Sequence, residues 1–540
     1  MPVSVTLSDS VVDDLALEDL GRFFLPPEVR SGEKGKKELK TWLEAWLTAD
    51  PAEITRRSRV ILALSGMPDA REVLVRQAAS ARDAVRLRRA RGRSLPGCAA
   101  AVKLLRLFVT ETDALAALRG QDASLDELLS PILTLAASPA FAAAKAQLAR
   151  AEAVWTPLET LTMGVNFTPY GRAVRVTAHG TDSLSAGVVM QGGAQRVFLL
   201  DANRDNEPDR GVLEPGYGSP NALFPALPVR ERGEIAHLEA AVLSAAEHAW
   251  SGMLSRTLAA LDPFPEEPLS AWLDWCAALP PILAGLTFTA ELQRRGCTLC
   301  QPVCRTGGLR AEALLSPDLT LRAHDLPVSC TADISRDSLV FITGVNHSGK
   351  TTFLKALAHA QLLAQLGFPL PAAAFSFVPF RHFFTLFGRG ETEDLSRFER
   401  EAAVLREMLD HADGESALYL NEPFTSTGAA DAQTLLSDAF ARLTDRGAAL
   451  FAVTHLYELY EPLSARYGER LSSFVTESSA DADGVHYAYR LDRRPPDVRR
   501  YARLIAESFG LSASRLLTDK GEIAQVEAFL QRGKEAAACL

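Results

Sequence analysis

The sequence predicts a multidomain α + α/β chain in which helical core and lever arms with a small β insertion precede a domain built on a mostly parallel sheet. Three observations carry that expectation. A length of 540 residues exceeds one ordinary compact domain. From about residue 10 to 155, apolar residues recur at three- and four-residue spacing in Ala-, Leu-, Arg- and Glu-rich text. After about 310, strand-like and helix-like runs alternate, as in a parallel sheet covered by helices.

In chain order, the helical spacing predicts an N-terminal helical domain over 1–155, with breaks at Leu25-Pro26-Pro27, Met67-Pro68-Asp69 and Leu95-Pro96-Gly97. Short alternating runs, Ala173 to Thr177 and Arg196 to Leu200, then predict a small β-containing region over 156–232, with a long polar loop from Asp201 to Pro220. Helical spacing returns over 233–310, with Pro263-Phe264-Pro265 as the turn between two long helices. The alternating domain spans 311–510, and 511–540 reads as a helical tail.

Composition narrows the function classes. With 47% hydrophobic and 23% charged residues, the chain is neither disordered nor fibrous. No apolar run reaches the roughly 18 residues of a membrane span, and the start lacks a signal-type core, so a cytoplasmic protein with no membrane partner is expected. Seven cysteines are too sparse for a disulfide framework and read as reduced thiols. A net charge of -10 gives no global attraction for nucleic acid, so DNA binding would need a local basic patch or an enclosing shape.

The strongest motif follows the apolar run Ser338 to Thr343. It is Gly344-Val345-Asn346-His347-Ser348-Gly349-Lys350-Thr351-Thr352, a complete G-x-x-x-x-G-K-[ST] phosphate loop that opens a helix. Glycines let the backbone wrap an anion, Lys350 would reach the β- and γ-phosphates of ATP, and the Thr351 hydroxyl would ligate Mg²⁺. A second strand, Ala417 to Leu420, ends in Asn421-Glu422, where Glu422 is the candidate general base and Asn421 the candidate water-mediated magnesium partner. Asn421 occupies a position where an acid is expected, which predicts weaker metal binding or slower turnover. A third strand, Ala448 to Val453, delivers Thr454-His455, with His455 placed to sense the γ-phosphate.

Together these segments resemble the MutS family of DNA mismatch repair ATPases, a branch of the ABC-type P-loop ATPases. Thr343 to Thr352 looks like the family's T-G-P-N-M-G-G-K-S-T, and Gln361 to Pro371 like its L-A-Q-I-G-x-x-V-P-A. His382 to Gly388 is similar to I-F-T-R-I-G. Asp394 to Glu401 resembles the segment containing S-T-F-x-x-E-M, with Ser396 at the signature serine. Asn421 to Thr427 stands where the family has D-E-x-G-R-G-T, and Thr454 to Leu459 matches T-H-Y-x-E-L. The stretch from Arg494-Pro495-Pro496 to Gly510-Leu511 is similar to the closing segment before a dimerising tail.

The resemblance implies a homodimer that holds ATP and Mg²⁺ between each phosphate loop and the partner's Ser396 region. It implies a clamp on double-stranded or branched DNA, with repair or recombination proteins as further partners. Three departures accompany it: the chain is short for the family's N-terminal domains, no F-x-E mismatch-reading wedge is found near the start, and no C-terminal nuclease-like domain is found. DNA repair or recombination without direct mismatch reading is therefore expected. The alternative is a nucleotide-gated switch with little ATPase activity, acting on a protein or RNA partner.

Other constellations are weaker. Arg82, Arg86, Arg89 and Arg93 share one face if they lie on one helix, a stripe suited to a DNA backbone; Lys34, Lys36, Lys37 and Lys40 form a lesser group. Cys297, Cys300 and Cys304, with Cys330 or His324, have part of a zinc spacing but read as buried thiols, and Trp250, Trp272 and Trp275 read as core.

Overall fold

The structure, a computed structural model, describes residues 4–25, 32–155, 162–167, 173–180, 184–191, 194–202, 208–209, 251–336, 338–388, 396–481 and 484–496; at 32–34, 162–209, 478–481 and 484–486 it describes backbone alone. Outside them lie most of the loop expected from Asp201 to Pro220, the helix start over 233–250 with Trp250, Asp394 and Leu395, most of the closing stretch, and the tail at 511–540. The Lys34 side chain is also outside.

Two compact units form, one from Met1–Pro68 with Pro280–Leu540 and the other from Asp69–Leu279. The helical text expected as one domain over 1–155 is thus divided at Pro68. The reason is the partner chosen by the first helices. Strand β1 (Thr6–Leu7) and the helices Val11–Asp14, Leu17–Gly21, Gly32–Trp46 and Pro51–Ser65 bury their apolar faces within the first unit. Phe24 meets Phe288 and Phe368 edge-on, with ring centroids 5.8 and 5.5 Å apart. Gly285 gives room for Ile61, which a β-carbon there would strike.

The second unit is mainly helical: Pro68–Ala90, Leu95–Ala116, Ala123–Ala136, Pro139–Val154, Ser251–Ala260 and Glu266–Ala277. Ser94, Asp122 and Ser138 cap three of these helices by accepting backbone N–H bonds. Phe108, Phe141 and Trp272 form its aromatic core. A buried carboxylate, Glu111, accepts from Arg76, Gln77 and Ser80, and Gln77 in turn accepts from the Trp272 indole at 3.2 Å, so the buried charge is fully partnered. Trp275 donates to the Leu128 carbonyl at 3.0 Å. Five strands add two small antiparallel sheets, β2 (Thr162–Phe167) with β3 (Ala173–Gly180), and β4 (Leu184–Gln191) with β5 (Ala194–Ala202) and β6 (Pro208–Asp209).

The first unit resumes with the helix Pro280–Arg294. Strands β7 (Val303–Cys304), β8 (Gly308–Leu314), β9 (Cys330–Ser335), β10 (Leu339–Thr343), β11 (Ala374–Phe377), β12 (His382–Phe387), β13 (Ser416–Asn421), β14 (Ala449–Val453), β15 (Leu471–Asp481) and β16 (Gly484–Arg493) follow. Seven strands make the main sheet in the order β1-β12-β13-β14-β10-β15-β16, all pairs parallel except β15 with β16. β10 and β14 are buried at every residue, as strands covered on both faces must be. β7, β11, β8 and β9 form a second, four-stranded sheet.

One stretch among the described residues, Glu266–Arg294, has the length and apolar composition of a membrane span, a feature that counting uninterrupted apolar residues misses. It is broken near Leu279, and Trp272, Ile282 and Phe288 on it are buried.

Candidate nucleotide-binding site

The carboxyl ends of β10, β13 and β14 lie side by side, which brings three chain segments to one sheet edge. From β10 the chain turns through 344–349 into the helix Lys350–Gln365. Two glycines make the turn possible. Gly344 has φ +142° and lies so close to β15 that a β-carbon would meet the Thr476 hydroxyl; Gly349, at φ +96°, is the residue before the helix. His347 adopts φ +66° and is exposed. Ser348 is buried, donating to the Val345 carbonyl at 2.6 Å and lying 2.5 Å from the Thr476 hydroxyl.

Lys350 is 4% exposed and curls back over the loop, donating to the carbonyls of Gly344 (3.0 Å) and Val345 (3.2 Å) and to Asn346 Oδ1 (3.2 Å). Burial pulls its pKa down, and the Glu422 carboxylate, 3.7 Å away, opposes that shift. Thr351 donates to Asn421 Oδ1 at 2.8 Å, joining the helix start to the end of β13. Thr352 is exposed.

Glu422 sits just past β13 with φ +50°, and its N–H bonds the Val453 carbonyl of β14 at 2.9 Å. Its Oε1 is 2.8 Å from His455 Nε2. That hydrogen bond is the main cause holding the Glu422 carboxyl below the usual range; burial works against it, and the charges of His455 and Lys350 reinforce it. Lys350, Thr351, Asn421, Glu422 and His455 therefore form one connected cluster. Ser396 lies elsewhere, as the N-cap of the helix Arg397–His411. It shares a reciprocal capping box with Glu399: the Ser396 hydroxyl accepts from the Glu399 N–H at 3.3 Å, and the Ser396 N–H donates to the Glu399 carboxylate at 2.9 Å.

Beside the loop lies a cleft of about 690 Å³. Asn346, Lys350, Thr351 and Glu422 line its polar side. Leu319, Leu326, Val328 and Tyr489 line an apolar side, and Leu326, Val328 and Tyr489 remain 48–50% exposed. Tyr489 comes from β16 with φ +53°, its ring close enough that a β-carbon on Gly349 would touch it at 3.4 Å. Reading by motif misses this wall. Its only sequence trace is the alternation Tyr487-Ala488-Tyr489 and the apolar Leu326-Pro327-Val328.

Arg82, Arg86 and Arg89 are exposed on the helix Pro68–Ala90, with Arg86 3.1 Å from Asp83. Arg93 is exposed in the turn that follows, so the helical spacing expected to include it stops at Ala90. Lys36 and Lys40 pair with Asp13 and Asp9. Among the described residues no group of three or more His, Cys, Asp or Glu is arranged to hold a metal ion. Burial raises the Cys300 and Cys304 thiols to about 11.

Residues 340–522 match the family model described as MutS domain V. The chain is 28% identical over 221 residues to MutS protein homolog 4 of Mus musculus, covering 39% of this chain and 23% of that protein. It is 30% identical over 200 residues to the DNA mismatch repair protein MutS of Natronomonas pharaonis (36% and 23%), and 28% over 191 residues to the endonuclease MutS2 of Solidesulfovibrio magneticus (35% and 25%). The chain spans about a quarter of the length of these curated relatives.

Proposed function

Through its domain V the chain belongs to the MutS family, and from that premise we propose that it is an ATP-dependent DNA-binding protein in which nucleotide binding and hydrolysis at a dimer interface drive a clamp. The observation that carries the reading is the cluster of Lys350, Thr351, Asn421, Glu422 and His455 at one sheet edge beside an open cleft. Loop N–H groups and the helix start suit a triphosphate, and Lys350 is the cation that exchanges its loop carbonyls for phosphate oxygens. The apolar side with Tyr489 suits a nucleobase.

Thr351 and Asn421 offer two neighbouring oxygens, a donor set that fits a hard cation such as Mg²⁺. A bound Mg²⁺ would neutralise charge developing on the phosphates. Glu422, kept ionised, is the group that accepts the proton of the attacking water, and we assign that role to Oε2 because Oε1 already faces His455 and Lys350. His455 holds the carboxylate in place and faces the γ-phosphate position. Ser396 serves the partner copy's nucleotide, and Arg82, Arg86, Arg89 and Arg93 are proposed contacts to the DNA backbone. DNA repair or recombination is the proposed setting, cytoplasmic, with a homodimer as the working form.

The steady-state ATPase rate of the protein and of Glu422→Ala, with and without duplex and branched DNA at low salt, tests this. Turnover stimulated by DNA and abolished in the variant is the expected result. A second reading rests on Asn421, whose neutral amide replaces an acid beside Thr351. If both proteins bind ATP, neither turns over and DNA changes nothing, the chain is a nucleotide-gated switch for a protein or RNA partner.

A further inference from the structure

Two residues in the left-handed region flank Pro423 immediately after the β13 strand: Glu422 at φ +50° and Phe424 at φ +59°. Neither is glycine, so the turn is strained and persists only because its surroundings impose it. The Glu422 side of the turn is held by the Val453 carbonyl and His455, and the Phe424 side is held largely by the first turns of the helix Arg397–His411. The Phe424 N–H donates to Glu401 Oε2 at 2.5 Å. Arg397 donates to Glu401 Oε1 at 2.8 Å and to the Thr425 hydroxyl at 2.6 Å. The Phe424 ring, 1% exposed, packs edge-on to Phe398 with centroids 5.5 Å apart. Glu401 is itself 3% exposed, so its charge is tied to Arg397 and to that backbone N–H.

The same helix begins at Ser396. Its first two turns therefore follow directly from the residue proposed to meet a nucleotide across the dimer and carry the side chains that clamp the turn behind Glu422. The motif letters sharpen the point. Where S-T-F has threonine this chain has Arg397, and where G-R-G has arginine it has Thr425. The two residue types are transposed, and the two side chains are hydrogen-bonded to each other.

We propose that Arg397, Glu401 and Thr425 are positioning residues that couple the two nucleotide sites of a dimer. A phosphate engaged at the Ser396 end of the helix shifts Arg397 and Glu401, and the turn at 423–425 carries that shift to Glu422 in the other site. The proposal rests on the roles given above to Ser396 and Glu422. In this chain the arginine of the bonded pair stands on the helix and the threonine in the turn.

A four-protein cycle tests it: wild type, Arg397→Thr, Thr425→Arg and the double exchange. ATPase kcat and KM are measured for each, and amide hydrogen exchange at Phe424 and Thr425 is read without nucleotide. Each single variant is expected to lose about tenfold or more in kcat with KM within about twofold, because a misplaced base acts on the chemical step. The double exchange is expected to recover kcat to within about threefold of wild type. A double variant no better than the worse single, or singles that change KM alone, overturns the proposal. Thr425→Val, which removes only an exposed hydroxyl, keeps the test available if Arg397→Thr does not fold, with a severalfold fall in kcat expected and an unchanged kcat counting against the link. If wild type shows no turnover, the ATPase reading fails by itself. In that case faster exchange at Phe424 in Arg397→Thr, restored in the double variant, still supports the link, and unchanged exchange overturns it.

Discussion

Glu422→Gln separates two tasks that the proposed function gives to one carboxylate. Glu422 Oε1 lies 3.7 Å from the Lys350 ammonium, which is 4% exposed and otherwise held by two carbonyls and one amide oxygen. At an effective dielectric of about 20, two unit charges at that distance attract by about 4.5 kcal/mol. The Glu422 side chain keeps 30% of its surface exposed, and screening and desolvation reduce the net contribution to about 1–2 kcal/mol. On the proposed function the pair competes with phosphate for Lys350, so removing the charge should loosen the loop and favour the nucleotide. ATP affinity is expected to rise roughly 5- to 30-fold, the equivalent of that free energy. The nucleotide-free melting midpoint should fall by roughly 2–8 °C. Turnover should fall by about 10² to 10⁴, the usual contribution of a general base. Equilibrium titration with a fluorescent ATP analogue, paired with thermal melts and steady-state rates, reads all three. A dissociation constant that is unchanged or larger would refute the argument that Glu422 and phosphate compete for the same ammonium.

Three other outcomes follow from the same geometry. Asn421→Asp should lower the Mg²⁺ concentration for half-maximal turnover by about 10- to 100-fold, as expected for an ionised group restored next to a metal ligand, measured by Mg²⁺ titration at fixed ATP. Gly344→Ala forces an alanine into φ +142° and drives its β-carbon into the Thr476 hydroxyl; ATP binding should weaken by at least about tenfold, with lower thermal stability, in calorimetry. The Glu422 carboxyl is depressed in the folded state, so its stabilising share is complete above about pH 4.5 and is lost as pH falls through the lower folded value. The stability gap between wild type and Glu422→Gln should accordingly hold constant at neutral pH and narrow as pH falls below 4.5, followed by denaturant melts.

The turn between β10 and the helix Lys350–Gln365 was legible because its signals are local. Gly344, Gly349, Lys350 and Thr351 stand within eight positions between a buried strand and a helix, and no distant residue is needed to recognise them. Asn421-Glu422 and His455 were legible because strand-end placement follows from the alternation of strands and helices. The apolar side of the cleft was not. Leu326, Val328 and Tyr489 carry no distinctive chemistry, and Tyr489 reaches the loop through an antiparallel hairpin whose register no spacing reveals. Periodicity also assigned the helix Pro51–Ser65 its apolar face without saying which unit that face would meet. Arg397 and Thr425 stand 28 positions apart in the sequence, and only the fold brings their side chains to 2.6 Å.

Strand β1 has a consequence for how the protein is made. Thr6 and Leu7 pair in parallel with His382 and Phe383, and the Thr6 hydroxyl meets His382 across 376 residues of chain. At about 5–20 residues per second, a ribosome needs roughly 20 to 75 s to synthesise that interval. During that wait the Asp69–Leu279 unit is synthesised in full, while the first 68 residues have no sheet to join. The nascent chain therefore completes an inserted unit while the Thr6–Leu7 strand is still unpaired. The apolar segment with Val5, Leu7, Val11 and Leu15, all destined for burial, is the part most in need of shielding until β12 emerges.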